Sequence, residues 1–235
     1  MTGADGFIGS HVVEHLVRQG HDVRAFVLYN SFNSWGWLDS CAPDVVGQFD
    51  VFSGDVRDPY GVRTAMQDCD VVLHLAAFIG IPYSNHSPET YVATSTIVIL
   101  NVTEARGDTD GYQVTHTANT EVCGSAQSQS RVSKIGADQM ALAFYRSFGT
   151  SVTVIRPVNP SGPRQSARAV SPNVISELAS DKGPVQLGSL KLTHVFSFVS
   201  DTINGFVSAI GSENTLDRSS TSGAVLRFPS KLLSR

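Results

Sequence analysis

Three glycines that lie three residues apart near the start of this chain constrain its fold more than any other feature. Gly3, Gly6 and Gly9 come directly before residues 10–19, whose apolar side chains recur at helical spacing. In such an arrangement the first glycine allows a turn, the second lets backbone N–H groups approach a pyrophosphate, and the third lets the helix pack on a strand. The pattern predicts a dinucleotide-binding loop, with a glycine-rich turn that holds no ligand as the alternative.

Apolar segments of two kinds alternate behind this loop. Short β-type runs alternate with segments of helical length or periodicity, and this alternation predicts an α/β fold with a doubly wound parallel sheet. We place a dinucleotide-binding domain at residues 1–156 and a small, truncated substrate region with an irregular tail at residues 157–235. Only Met1 and Thr2 precede Gly3, so the strand that should lead into the loop is expected to be missing. The β-type runs are 21–28, 49–52, 70–77, 112–117 and 152–155, and the helical segments are 10–19, 89–106 and 135–148.

Composition excludes several classes of protein. The chain has 17 Lys and Arg against 21 Asp and Glu, a formal net charge of −4, which disfavours a nucleic-acid partner. No apolar run approaches the roughly 20 residues that span a bilayer, so no membrane partner is expected. Cys41, Cys69 and Cys123 are too few for a disulfide framework and lack zinc-ligand spacing. We therefore predict a cytoplasmic protein with reduced structural thiols and no metal.

Several separated motifs, in the correct order, resemble the extended short-chain dehydrogenase/reductase family, the NAD-dependent epimerases and dehydratases. Besides the glycine loop, they are LHLAA at 73–77, Ser133-Lys134 at the start of a later helix, and RPVN at 156–159. The segments GFIGSH at 6–11, SWGW at 34–37 and GPRQ at 162–165 are similar to the nucleotide-sugar 4,6-dehydratases, including those of nonulosonic (legionaminic-type) acid synthesis. The resemblance covers residues 2–210. It implies a Rossmann-like fold, NAD as cofactor, a UDP-, GDP- or dTDP-linked sugar as substrate, and a homodimer as one assembly.

The same resemblance assigns cofactor-binding residues. For Asp55 the alternative is a turn-forming aspartate after Gly54. Tyr29 ends the second strand, where NAD-preferring enzymes place an acid for the ribose 2′-hydroxyl, so NADP stays open. By resemblance, the pyrophosphate is held by Gly3, Gly6, Phe7, Ile8 and Gly9, the adenosine ribose lies near Asn30 and Ser34, the adenine is bordered by Asp55 and Val56, and the nicotinamide side is lined by Leu75, Ala76 and Ala77.

The family's mechanism removes hydride from sugar C4, eliminates water across C5 and C6, and returns the hydride, around a Tyr-x-x-x-Lys pair. Lys134 stands at the lysine position, with an ordinary first-turn helix lysine as the alternative. Ser130 stands where the tyrosine belongs, and its hydroxyl is far less acidic and its side chain shorter, so the general base is absent by sequence.

A second catalytic segment, Asn119-Thr120-Glu121, also matches the family in part. Asn119 takes the position of a catalytic Ser or Thr, whereas Glu121 retains the acid/base position of the dehydratases. Cys123 takes a tyrosine position, and since no neighbouring His completes a Cys-His arrangement we expect a buried structural thiol.

The resemblance assigns three candidate substrate contacts. Asn159 and Arg164 are candidate diphosphate contacts, with polar loop residues that cap local backbone as the alternative. His194 replaces an arginine that grips the nucleotide diphosphate in the family.

Three functions therefore stay open. They are an active nucleotide-sugar 4,6-dehydratase or epimerase, a degenerate or fragmentary relative that binds dinucleotide without turnover, and an interaction module that pairs through an exposed sheet edge.

Overall fold

The computed structural model describes residues 1–105, 113–117, 128–157, 159–180 and 196–210. The strands are β1 (Arg24–Leu28), β2 (Asp50–Gly54), β3 (Val71–His74), β4 (Gln113–Thr117), β5 (Val152–Ile155), β6 (Pro160–Ser161) and β7 (Ser197–Phe198). The helices are α1 (Phe7–Arg18), α2 (Pro59–Met66), α3 (Ile81–Ser84), α4 (Pro88–Val92), α5 (Val98–Glu104), α6 (Gln129–Phe148), α7 (Val170–Ala179) and α8 (Val199–Ala209). A 3-10 helix spans Gly36–Ser40, and a π-helical turn, Ala93–Ile97, joins α4 to α5.

The main sheet is parallel, and its central position is held by only two residues. β1 pairs with β2, and β3 pairs with β4, which pairs with β5. Between β1 and β3, the Thr2 N–H donates to the Leu73 carbonyl at 2.9 Å and the Phe26 N–H donates to the Met1 carbonyl at 2.7 Å. Met1 and Thr2 thus join the two halves of the sheet. The predicted doubly wound parallel sheet is confirmed.

Two apolar clusters cover the two faces of the sheet. In one cluster, α1 and α8 pack against alternate residues of β1 and β3. In the other cluster, α2, α5 and α6 pack against the intervening residues of the same two strands. Phe206 of α8 is fully buried in the first cluster, although α8 falls in the region 157–235 that we assigned to a second domain. The domain boundary at residue 156 stays a prediction.

The helix that carries the candidate catalytic lysine has well-defined ends. The Ser128 side chain caps the start of α6 by accepting a hydrogen bond from the Arg131 N–H, and Gly149 ends it in the left-handed region at φ 64°. α6 therefore begins at Gln129, before the predicted residue 135, and includes both Ser130 and Lys134. None of the helices in the described ranges is long and apolar enough to cross a membrane.

Candidate functional site

A cavity of about 320 Å³ lies where the glycine loop meets the carboxyl ends of β1, β2 and β3. Ligands of open parallel sheets bind at this edge, where strand order reverses. The structure therefore brings residues that are far apart in the sequence into one place. The predicted cofactor residues that line this cavity are Gly3, Gly6, Asp55, Val56, Leu75, Ala76 and Ala77.

Two of the three loop glycines are required by close backbone contacts. Gly3 has φ +67°, and a Cβ there would lie 2.7 Å from the Ala76 amide nitrogen. A Cβ at Gly9 would overlap the Gly3 carbonyl oxygen. A Cβ at Gly6 would lie 3.3 Å from that same oxygen, which is tight but less severe, and Gly6 faces the cavity. The protein's own packing thus explains Gly3 and Gly9, whereas Gly6 borders the space that a ligand would fill.

The start of α1 presents unsatisfied backbone donors to this region. Gly6 is the N-cap, no side chain caps the helix, and its first turn carries no acidic residue. The N–H groups of Phe7, Ile8 and Gly9 belong to that first turn and so have no acceptor inside the helix. Such donors, together with the helix dipole, attract an anionic group.

Asp55 at the end of β2 has a local role and also lines the cavity. Its carboxylate accepts hydrogen bonds from the Arg57 N–H and Nε, each at 2.9 Å, and the Arg57 guanidinium lowers the pKa of the Asp55 carboxyl. The turn-forming role that we considered as the alternative is therefore present. Contact of Asp55 and Val56 with an adenine stays a prediction.

Asp5 is a cavity residue that the motif did not single out. Its carboxylate accepts a hydrogen bond from the Leu28 N–H at 3.4 Å, and its carbonyl accepts one from the Trp37 N–H at 3.0 Å. Burial raises the pKa of the Asp5 carboxyl. Asp5 therefore ties the glycine loop to β1 and to the 3-10 helix. Its position inside the glycine motif could have identified it from the sequence as a residue of the candidate site.

The remaining cavity residues could not be identified from the sequence, because they come from strand ends and a helical turn that only the tertiary structure brings together. The Thr94 hydroxyl is buried and has no hydrogen-bond partner among the described residues. It lies in the π-helical turn and lines the cavity. The further lining residues are Phe26, Leu28, Gly54, Arg57, Phe78 and Thr94.

Asn30 and Ser34 lie outside the cavity lining and shape the loop after β1. The Asn30 side-chain amide donates to the Ser34 carbonyl at 2.8 Å, and the Ser34 hydroxyl donates to the Asp39 carboxylate at 2.6 Å. These contacts tie the loop after β1 to the 3-10 helix. Proximity of Asn30 and Ser34 to an adenosine ribose stays a prediction.

Lys134 and Ser130 lie one turn apart on α6, and both are buried. Burial lowers the pKa of the Lys134 ammonium to about 8, although nearby Asp138 opposes the shift. The Thr96 hydroxyl donates to the Ser133 carbonyl at 3.0 Å, which sets this part of α6 beside the π-helical turn that carries Thr94. Neither Lys134 nor Ser130 lines the cavity, so their catalytic roles stay predictions.

A buried polar cluster, formed by His74, His116, Asp138 and Arg156, lies between the sheet and α6. The two imidazole rings stack at 5.5 Å, and Arg156 Nη2 donates to Asp138 Oδ2 at 2.6 Å. His116 Nε2 lies 3.4 Å from Asp138 Oδ1, and His74 Nδ1 lies 2.7 Å from the Thr2 hydroxyl. Through these contacts the cluster connects Thr2, which lies between β1 and β3, to α6, the helix that bears Lys134.

This cluster predicts an acid-sensitive fold. Burial lowers the pKa of both His74 and His116 below the usual 6.5, so the unfolded chain binds protons that the native protein does not. Stability should therefore fall as the pH drops below about 6.5, with a slope of at most about 1.4 kcal/mol per pH unit for each histidine. Urea unfolding between pH 7 and pH 5 measures this slope. His74→Gln with His116→Gln should flatten it, whereas His21→Gln, at an exposed position, should leave it unchanged; equal slopes would contradict the prediction.

Two of the predicted substrate contacts, Asn159 and Arg164, do not line the cavity. Arg164 Nη2 donates to Glu14 Oε1 at 2.7 Å and to the Ser40 carbonyl at 3.0 Å, so this side chain ties its loop to α1 and to the 3-10 helix. The Asn159 carbonyl accepts from the Ser197 N–H at 3.4 Å. Their contact with a diphosphate stays a prediction. Asn119, Thr120, Glu121 and His194 lie outside the described residues.

Of the three cysteines, Cys41 is buried and Cys69 is half-buried, and both are free thiols. Burial raises the pKa of the Cys41 thiol to about 11, so it stays protonated at neutral pH. Cys123 lies outside the described residues.

Comparison with known protein families finds one match along almost the whole chain. The model of the GDP-mannose 4,6 dehydratase family matches residues 1–227. The dTDP-glucose 4,6-dehydratase of Mycobacterium tuberculosis is 26% identical over 205 residues, which is 80% of this chain and 61% of that protein. UDP-glucuronic acid decarboxylase 1 of Xenopus tropicalis is 27% identical over 236 residues, which is 90% of this chain and 53% of that protein. The chain thus spans between half and two thirds of these relatives.

Solved structures agree on the fold. A dTDP-glucose 4,6-dehydratase double mutant from Streptomyces venezuelae, with NAD bound, has a TM-score of 0.77 and 25% identity, and covers 88% of this chain and 70% of that one. A UDP-glucuronic acid 4-epimerase from Bacillus cereus, with UDP-glucuronic acid and NAD, has a TM-score of 0.80 and 22% identity, and covers 92% of this chain and 73% of that one.

Proposed function

The chain belongs to the GDP-mannose 4,6-dehydratase family, and on that basis we propose that it binds NAD in the cavity between the glycine loop and the ends of β1, β2 and β3. The observation that carries this proposal is the convergence of the loop glycines, Asp55 and the segment after β3 on one cavity. The Streptomyces venezuelae and Bacillus cereus relatives hold NAD in their structures.

The residues present fit a dinucleotide. The first-turn N–H groups of Phe7, Ile8 and Gly9 would bind the pyrophosphate, which the bare backbone of Gly6 lets come close. Leu75, Ala76 and Ala77 would line the nicotinamide side, and the unpartnered Thr94 hydroxyl on the same cavity is a donor that a ligand would satisfy. When bound, the nicotinamide supplies a hydride acceptor and donor. Because Tyr29 replaces an acid at the end of β1, NADP is the competing cofactor.

The substrate that we propose is a nucleotide-linked sugar, by analogy with relatives named for dTDP-glucose and UDP-glucuronic acid. In this proposal Lys134 supplies a buried positive charge close to the reaction, and Glu121, Asn119 and Thr120 serve as the family's second catalytic segment. Membership of the nonulosonic-acid type is a finer proposal that rests on the segments at 6–11, 34–37 and 162–165.

One observation favours a second candidate, a relative that binds the dinucleotide without turnover. Ser130 stands where the family's tyrosine belongs, is 6% exposed, and offers no phenol to act as the base. Under this candidate the cavity and the buried Lys134 are retained, but the proton-transfer step is lost.

Direct titration of the protein with NAD and with NADP tests the binding proposal. We expect saturable binding and a melting temperature that rises with ligand concentration. Gly6→Val should abolish both effects, because its side chain would fill the approach to the first-turn N–H groups. Gly80→Ala is the matched control, since a Cβ there would meet nothing nearer than 3.6 Å. Unchanged affinity in Gly6→Val would show that the loop is not the site.

A product assay separates the two candidates. The NAD-loaded protein is incubated with dTDP-glucose, GDP-mannose and UDP-linked sugars, and formation of a 4-keto-6-deoxy sugar is followed. Turnover that Lys134→Ala abolishes supports the enzyme. NAD binding without product from any of these sugars supports the second candidate.

A further inference from the structure

The end of β1 lacks the acidic side chain that NAD-binding sheets commonly place there for the 2′-hydroxyl of the adenosine ribose, about 20 residues after the glycine loop. Tyr29 occupies that position. Its N–H donates to the Gly54 carbonyl at 3.0 Å, so its backbone continues the pairing of β1 with β2. The Tyr29 side chain is 73% exposed and does not line the cavity at the glycine loop. Tyr29 therefore cannot supply a carboxylate to the ribose.

Asp5 brings a carboxylate to the same strand end from the glycine loop. Asp5 Oδ2 accepts a hydrogen bond at 3.4 Å from the N–H of Leu28, the residue directly before Tyr29. Both Asp5 and Leu28 line the cavity, and Asp5 is only partly buried. An ionised carboxylate accepts up to about four hydrogen bonds, so Asp5 keeps acceptor sites for a ligand while it holds Leu28.

The 3-10 helix also holds Asp5 in place. The Trp37 N–H donates to the Asp5 carbonyl at 3.0 Å. Gly36 has φ +62°, and a Cβ there would lie 2.7 Å from the Asp5 carbonyl oxygen and 3.1 Å from the Asp5 Cβ. This close approach of Gly36 leaves the Asp5 side chain little room to move away from the end of β1. The carboxylate is thus kept beside Leu28, at the cavity.

The charged groups of the cavity disfavour an additional phosphate. Among the described residues that line it, Arg57 is the one cation, and its Nε donates to both carboxylate oxygens of Asp55, at 2.9 and 3.0 Å. Since Asp5 and Asp55 both line the cavity, its charged side chains are negative in balance. NADP differs from NAD by a 2′-phosphate, and a phosphate monoester carries roughly 1.5–2 negative charges at neutral pH. That group would meet Asp5 while Arg57 is engaged by Asp55.

From this placement we propose that Asp5 selects NAD over NADP, because its carboxylate accepts a hydrogen bond from the 2′-hydroxyl of the adenosine ribose and repels a 2′-phosphate at the same position. Asp5 is then a specificity-determining residue that the glycine loop contributes in place of the acid absent at Tyr29. The inference rests on the proposed binding of the dinucleotide at the glycine loop, and it decides between the two cofactors that Tyr29 leaves open.

Calorimetric titration of the full chain with NAD and with NADP at neutral pH measures the preference. We expect the protein to bind NAD at least about tenfold more tightly than NADP. Asp5→Asn keeps an acceptor for the Leu28 N–H but removes the charge, so it should lower the ratio of the two dissociation constants about tenfold, mainly through tighter binding of NADP. Asp22→Asn is the matched control, because it removes the same charge from an exposed position outside this cavity, and it should leave the ratio unchanged.

A ligand without the 2′-hydroxyl tests the hydrogen bond itself. An NAD analogue that carries 2′-deoxyadenosine should bind the unchanged protein about tenfold more weakly than NAD does, and this difference should vanish in Asp5→Ala. Melting curves without ligand show whether each variant is folded. If Asp5→Ala is too unstable to titrate, the ratio measured for Asp5→Asn decides alone.

Failure of the site and failure of the assignment to Asp5 give different results. If neither dinucleotide binds the unchanged protein, the proposed function is refuted and the role of Asp5 with it. Saturable binding that favours NADP, or a preference for NAD that Asp5→Asn leaves unchanged, would overturn the role of Asp5 and leave the site at the glycine loop intact.

Discussion

Replacing Gly9 by alanine is expected to lower the free energy of unfolding by about 3 kcal/mol and to abolish NAD binding. The new Cβ would overlap the Gly3 carbonyl oxygen and approach the Ala4 Cα to 2.9 Å. Both obstacles are backbone atoms, which cannot rotate away as a side chain would. α1 would have to move off the glycine loop, and its first-turn N–H groups would lose their position at the cavity.

Urea unfolding and NAD titration of the same preparations measure the two effects of Gly9→Ala. Gly6→Ala is the graded control, because a Cβ there would lie 3.3 Å from the Gly3 oxygen and needs a shift of only a few tenths of an ångström. Gly80→Ala, with no contact nearer than 3.6 Å, should unfold like the unchanged protein. A Gly9→Ala protein of unchanged stability and unchanged affinity for NAD would refute the packing argument.

Replacing Asp138 by alanine is expected to cost about 3–5 kcal/mol of stability. Asp138 is 1% exposed and its carboxylate accepts from Arg156 Nη2 at 2.6 Å. The truncation leaves the Arg156 guanidinium, 8% exposed, buried without its counter-charge. A buried unpaired charge is costly because the surrounding protein cannot replace its hydration.

The controls for Asp138→Ala separate charge from packing and from surface ion pairing. Asp138→Asn keeps an acceptor for Arg156 and should cost less than the alanine variant. Asp44→Ala removes the partner of Arg18 in an exposed pair at 3.0 Å, and its unfolding curve should scarcely move. If Asp138→Ala and Asp44→Ala unfold at the same urea concentration, the buried cluster does not stabilise the fold as described.

Local patterns were sufficient for the fold class and for part of the candidate site. The spacing of Gly3, Gly6 and Gly9 correctly predicted a loop at the entry to α1. The backbone atoms that a side chain at these positions would approach lie within a few residues or at the end of β3, so the pattern depends mainly on neighbours along the chain. The β-type run at 152–155 coincides with β5. α2 was missed, although Asp58 caps it and Pro59 occupies its first position, because its apolar face is short.

Contacts between distant segments were decided only by the tertiary structure. Arg164, predicted as a diphosphate contact, meets Glu14 of α1, and Thr94 reaches the cavity through a π-helical turn that no periodicity indicates. His74 and His116 meet because neighbouring strands share a register. A sequence determines backbone requirements and apolar faces, which depend on neighbours along the chain. Buried charge pairs, cavities and the place of Met1 between β1 and β3 depend on which segments the fold brings together, and that is set by packing across the whole sheet.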